Sequence, residues 1–135
     1  QAILPTGAGA TTGWTPSAGA NYQNVDEAAE NGDTDYNSTA TAGAIDTFAM
    51  GNVSPSTGSV KGVQHQPVVR KDDAGTRTVA PIARIGATDH VAGAGVNVNT
   101  TYAPVVVMAE TSPATGAAWT IAEVNAAEFG VKLIA

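Results

Sequence analysis

Hydrophobic and polar positions alternate over short spans of this chain, and the spans are cut repeatedly by Gly, Pro and Thr. Short alternating runs bounded by turn residues predict many brief strands rather than long helices. Tyr22–Val25 reads as a short strand, and Thr39–Met50 as another carrying Ile45 and Phe48. Val60–Arg70 and Thr76–Gly86 each carry spaced Val and Ile. Between them Lys71-Asp72-Asp73-Ala74-Gly75 supplies Asp early and Gly late, so the two segments predict a β-hairpin. Asp89–Gly95 reads as a loop. Within Val96–Glu110 the continuous apolar run Val105–Ala109 suits a buried central strand.

One helix stands out, Ile121–Phe129. Thr120 precedes it as an N-cap, Glu123 follows at capping-box spacing, and Gly130 falls where a left-handed C-terminal residue is wanted. Val131–Ala135 then alternates as a final strand. Residues 1–20 are rich in Gly, Ala, Thr and Pro and show no period. They read either as a flexible arm or as an extended arm laid on a neighbour and anchored by Ile3, Leu4 and Trp14, since a Trp is costly to leave in water. No repeat of 20–50 residues is visible, which sets aside solenoids and propellers. The expected fold is all-β, mainly an antiparallel β-sandwich resembling a jelly roll, with one short helix near the C-terminus. The expected organisation is an N-terminal arm, 1–20, and a single domain, 21–135.

Composition sharpens this picture in three ways. Hydrophobic residues make up 43% but aromatics only 5%, so the core is built of small side chains that bury little area each. Charged residues are 13%, about half of the roughly 25% usual in globular chains. Sparse charge and a modest core favour a domain that gains stability by packing against copies of itself or a larger assembly. Six Lys and Arg stand against twelve Asp and Glu, for a net charge of -6. All of that excess lies in residues 1–60, which hold Asp26, Glu27, Glu30, Asp33, Asp35 and Asp46 and no basic residue. This balance argues against a nucleic-acid partner, which needs clustered Lys and Arg. No apolar run reaches the roughly 20 residues of a spanning helix, so no membrane partner is expected. The chain has no cysteine, which excludes disulfides and thiolate chemistry. It opens on Gln1 rather than Met, as a processed chain or one with an upstream start would.

Chemical motifs are thin. His65 and His90 lack a second His at metal-ligand spacing and read as structural or solvated imidazoles. The six serines lie mostly in Pro/Gly/Thr loops such as Val53-Ser54-Pro55-Ser56, with no GxSxG elbow. Gly7-Ala8-Gly9 and Gly93-Ala94-Gly95 do not extend to a nucleotide-binding fingerprint. Paired carboxylates without a platform of aromatics do not make a glycosidase. Asp33-Thr34-Asp35-Tyr36-Asn37 spaces its oxygens as a Ca²⁺ loop does, but Ser38 and Ala44 occupy the positions where an EF-hand needs Gly and Glu. It reads as a turn-forming polar loop, with a different kind of cation site as the alternative. Arg70, Lys71, Arg77 and Arg84 lie near Asp72 and Asp73 without interleaved aromatics, the pattern of a solvated hairpin end.

Longer stretches carry a resemblance. Trp14-Thr15-Pro16-Ser17-Ala18-Gly19-Ala20-Asn21-Tyr22, Asp33-Thr34-Asp35-Tyr36-Asn37-Ser38-Thr39, the segment Lys71–Arg77 and Thr115-Gly116-Ala117-Ala118-Trp119-Thr120 resemble small structural proteins of tailed-bacteriophage virions, over about Trp14 to Leu133. The resemblance implies a non-enzymatic protein without a cofactor, present in many copies on the virion. It favours a capsid decoration (cement) protein on the outer surface of the head, bound to the major capsid protein or other virion proteins as a homo-oligomer, a trimer being favoured. A tail or fibre accessory protein is the nearest rival. It transfers no catalytic residues, and Ile3, Leu4 and Trp14 are the expected partner contacts. A carbohydrate- or cell-surface-binding module built on the Asp33–Asn37 loop is the reading from a different class.

Overall fold

Short strands and tight turns dominate a computed structural model that describes residues 1–135. The expected class holds: the chain is mostly β, its strands pair antiparallel, and one short helix lies near the C-terminus.

The core sheet has six strands. β1 (Pro5–Thr12) forms one edge and pairs with β4 (Ile45–Met50). β4 pairs with β12 (Glu128–Leu133), and β12 with β7 (Thr78–Ile85). β7 pairs with both β8 (Thr88–Val91) and β9 (Val96–Asn97). Three two-stranded ladders complete the pairing. β2 (Thr15–Pro16) pairs with β3 (Asn37–Ser38), β10 (Ala103–Pro104) with β6 (Val68–Val69), and β11 (Val107–Ala109) with β5 (Val63–His65).

β12 is the spine. Phe129, Val131 and Leu133 alternate along it on one face, as a period of two requires. Val131 and Leu133 join Val79, Val98 and Val105 in one buried cluster, with Trp14 and Val69 against it. Phe129 joins Trp119, Val124 and Ala127 in a second, flanked by Met50, Val53, Val60, Val63 and Ile85. Its central place explains Gly130, which is not a helix cap. A Cβ there would collide with the carbonyl oxygen of Asp46 on β4. The helix α1 (Ile121–Ala126) ends sooner than expected, because Ala127 turns extended and packs into the second cluster. Its start is as read: Thr120 Oγ1 accepts from Glu123 N–H at 3.1 Å. The Glu123 carboxylate turns away to accept from Ser112 Oγ, so the capping box is only half made.

Other expectations change. The β6–β7 hairpin does not form, because β6 pairs with β10 and β7 with β12 and β8; the Lys71–Gly75 turn is a crossover between ladders. The hairpin in this region is β7–β8, where Ile85 opposes Thr88 across Gly86-Ala87. Gly86 has φ +62°, the conformation a two-residue hairpin loop demands at its first position. Tyr22–Val25 is no strand but part of a 3₁₀ turn at Asn21–Asn24. Residues 1–20 are not an arm outside the domain. β1 is the edge strand of the chain's own sheet, and before it Gln1 Oε1 accepts from Ser54 N–H at 2.8 Å while Leu4 O accepts from Gly51 N–H at 3.0 Å. Small Gly, Ala and Thr side chains hide the strand signal, since they carry no hydrophobic alternation. They also permit the pairing: a Cβ on Gly9 would strike Thr47.

Candidate functional site

The run Val105–Ala109 does not form a central strand. Residues 103–109 lie antiparallel to 63–69 through the β10–β6 and β11–β5 ladders, joined by a hydrogen bond from Val105 N to Pro67 O at 2.9 Å. Together they make one two-stranded ribbon beside the main sheet. Pleating sorts its side chains onto two faces. Val63, His65, Val69, Val105 and Ala109 face the two buried clusters. Val68, Pro104, Val106 and Met108 face away, with Val106 53% and Met108 59% exposed, the highest exposures among the large hydrophobic residues. Gln64, opposite Met108, and Gln66 are the polar members of this outer row, and Gln64 Nε2 donates to Gln66 Oε1 at 2.9 Å.

The ribbon carries no formal charge. Neither residues 62–69 nor residues 90–109 contain an Asp, Glu, Lys or Arg. The charges lie around it instead. Arg70 follows β6 and donates to Asp33 Oδ1 at 2.9 Å from Nη2, and Tyr102 donates to the same oxygen at 2.8 Å. The Arg70 guanidinium also sits 5.2 Å from the centre of the Tyr102 ring. These donors, the Tyr102 hydroxyl first, hold the Asp33 carboxyl below its ordinary range. Asp35, the other carboxylate of the polar loop, accepts from Asn31 Nδ2 at 2.7 Å. The two acids of the sequence's Ca²⁺-like spacing thus serve different partners. Asp33 pins the acidic loop to the ribbon's end, and no three acidic or His side chains converge on a common point.

Beneath the ribbon, polar groups stitch residues 14–37 to β4. Asp46, 1% exposed, accepts from Trp14 N–H at 3.0 Å and from Asn21 Nδ2 at 2.7 Å. Asn37 Nδ2 donates to Asn21 O, and Asn24 Nδ2 donates to Asn37 Oδ1. Burial pushes the Asp46 carboxyl above its usual range despite these donors. No sequence motif marks this network, because Asn21, Asn37 and Asp46 are brought together only by the fold.

The residues singled out in the sequence fall in different places. Trp14 packs against the Val79–Val131 cluster, and its Nε1 donates to Ala44 O at 3.3 Å, so its ring docks within its own chain. Ile3 lies beside Gly51, and Leu4 is 39% exposed at the margin of the β1 edge. His65 meets Phe129 edge-on at 5.5 Å, and burial lowers its pKa to about 4. His90 stands opposite Ala83 on the main sheet, away from His65. Arg77 pairs with Asp73 and Arg84 with Asp89, so the expected solvated basic end is a set of local ion pairs.

An open concavity of about 1540 Å³ is bordered by residues 1–5, the acidic loop and the ribbon, and reaches Phe48, Phe129 and Val131 of the sheet. Few side chains are fully enclosed: 19 of 135 residues are buried. The molecule exposes 7220 Å², against about 6,500 Å² for a folded monomer of this mass. Compared with family models, with curated proteins and with solved structures, the chain matches none of them.

Proposed function

We propose that this chain is a structural subunit of a tailed-bacteriophage virion, a capsid decoration protein that binds the assembled head and stabilises it without catalysing a reaction. The observation that carries the reading is surface left over. The chain exposes about 700 Å² more than its mass calls for on the usual scaling, and part of that surface is an uncharged apolar row on the ribbon. A protein that works by being packed between repeated partners has a use for such surface. The resemblance of the Trp14–Leu133 region to virion proteins supplies the identity of the assembly.

The mechanism is mass action. Subunits that bind the closed shell and not its dissociated parts stabilise the shell by RT ln(1 + [L]/Kd), about 2.7 kcal/mol per site at a hundredfold excess over Kd. The test is quantitative mass spectrometry of purified particles, followed by melting of heads stripped of this chain and then reloaded with it. A fixed stoichiometry to the shell subunit and a raised melting temperature on reloading are expected. A fixed stoichiometry to tail proteins moves the chain to the tail or fibre. Its absence from purified particles overturns the reading.

A further inference from the structure

We propose that the outer face of the ribbon, Val68, Pro104, Val106 and Met108, is covered by the same face of a second copy of this chain. The argument begins with the run Val105–Ala109, which is apolar at five consecutive positions. A strand apolar at every position is suited to burial on both faces. Here only one face is buried. Val105, Val107 and Ala109 turn inward, while Val106 and Met108 stand 53% and 59% exposed, with Val68 39% exposed on the paired strand.

Electrostatics selects the occupant. Each copy carries a net charge of -6, most of it on the loop at Asp26–Asp35. Two such chains approach closely only across a surface free of that charge. The ribbon is that surface, since residues 62–69 and 90–109 contain no charged side chain. A basic partner would be drawn to the acidic loop instead, and the ribbon offers it nothing to pair with. Two-fold pairing of a face with itself is self-complementary, and the unbranched Met108 side chain is suited to filling the irregular gaps of such a contact. This inference does not depend on the virion reading, because it concerns the purified chain alone.

The full chain is examined by sedimentation equilibrium in the upper micromolar range, together with the double variant Val106→Asp/Met108→Asp. The wild type is expected at twice 13.5 kDa and the variant at 13.5 kDa, with equal far-ultraviolet dichroism because both positions point away from the core. A wild type that stays at 13.5 kDa overturns the proposal, and so does a folded variant that still self-associates. A second measurement covers a variant that fails to fold. The chain has no cysteine of its own, so Met108→Cys and Ser56→Cys each introduce one thiol at an exposed position. Mild oxidation should link Met108→Cys into dimers at least tenfold faster than Ser56→Cys. Equal rates overturn the proposal.

Discussion

His65 and Asp46 are both withdrawn from water, and burial moves their titrations in opposite directions. His65 has a folded-state pKa near 4 against an ordinary value of 6.5. Between those values the unfolded chain holds the proton and the folded chain does not, so stability rises with pH through the window and is fully present above it. The loss between neutral pH and pH 4 amounts to about 3 kcal/mol from this residue. Asp46 has the reverse sign. Its raised folded-state pKa means that the folded chain holds the proton more tightly, so its contribution improves as pH falls from the raised value toward the ordinary carboxylate range. Replacing His65 with Leu removes one titration and leaves the other. The wild type is expected to lose about 3 kcal/mol more than His65→Leu between neutral pH and pH 4, read from urea midpoints. Equal losses would refute the assignment. Trp14 makes a second residue-level case. Its ring packs on the chain's own cluster, so Trp14→Ala should lower unfolding free energy by about 3 kcal/mol. It should leave the mass seen in sedimentation unchanged at concentrations where the variant is still folded. The sequence indicates that this Trp has to dock; it contains nothing local that names Ala44 and Asp46 as its hosts.

Strands were legible where their side chains alternate, and their partners were not. Ile45–Met50, Thr78–Ile85 and the start of α1 stand close to where hydrophobic period and capping place them, because those signals are local. The supposed β6–β7 hairpin shows the limit. Lys71–Gly75 has turn chemistry, but turn chemistry only reverses a chain; it does not decide what the returning strand pairs with. β7 finds β12, some fifty residues on, because burying Val79 against Leu133 and Val131 offers more apolar area than Val68 and Val69 do. β1 was missed for the opposite reason: Pro-Thr-Gly-Ala-Gly-Ala-Thr-Thr has no hydrophobic alternation, and its pairing is held by backbone and by borrowed side chains. Ala10 N–H reaches Glu128 Oε2 at 2.8 Å and Thr11 N–H reaches Thr47 Oγ1 at 3.2 Å where the register slips. Gly130 carries the sharpest prediction for an element. Its place after Phe129 suits a helix end, but it lies inside β12, where a Cβ would meet the backbone of β4. Gly130→Ala forces β4 and β12 apart and should cost at least about 3 kcal/mol. Gly86→Ala, at a hairpin tip with nothing near its missing Cβ, should cost only about 1 kcal/mol, the strain of its positive φ. A thermal melt of the two variants side by side checks the order.

For the molecule as a whole, sparse charge and small side chains foretold a thin core, and 19 fully buried residues in 135 is the outcome. The location of the remaining apolar surface was not readable, because an unbroken apolar run looks the same whether the chain or a neighbour covers its second face. The two cases differ in their response to salt. If copies meet through the uncharged ribbon, the only long-range force between them is repulsion between two bodies of net charge -6. Ionic strength shortens the reach of that repulsion, from about 30 Å at 0.01 M to about 8 Å at 0.15 M. Self-association should therefore tighten as salt is added, by several-fold in Kd across that range, and level off once the acidic loops no longer sense one another. An interface built on ion pairs, such as Arg70 or Arg77 reaching the Asp26–Asp35 loop of another copy, would weaken over the same range. The sign of the slope thus separates a contact through Val106 and Met108 from one through the charged rim, and a falling association constant would discard the ribbon.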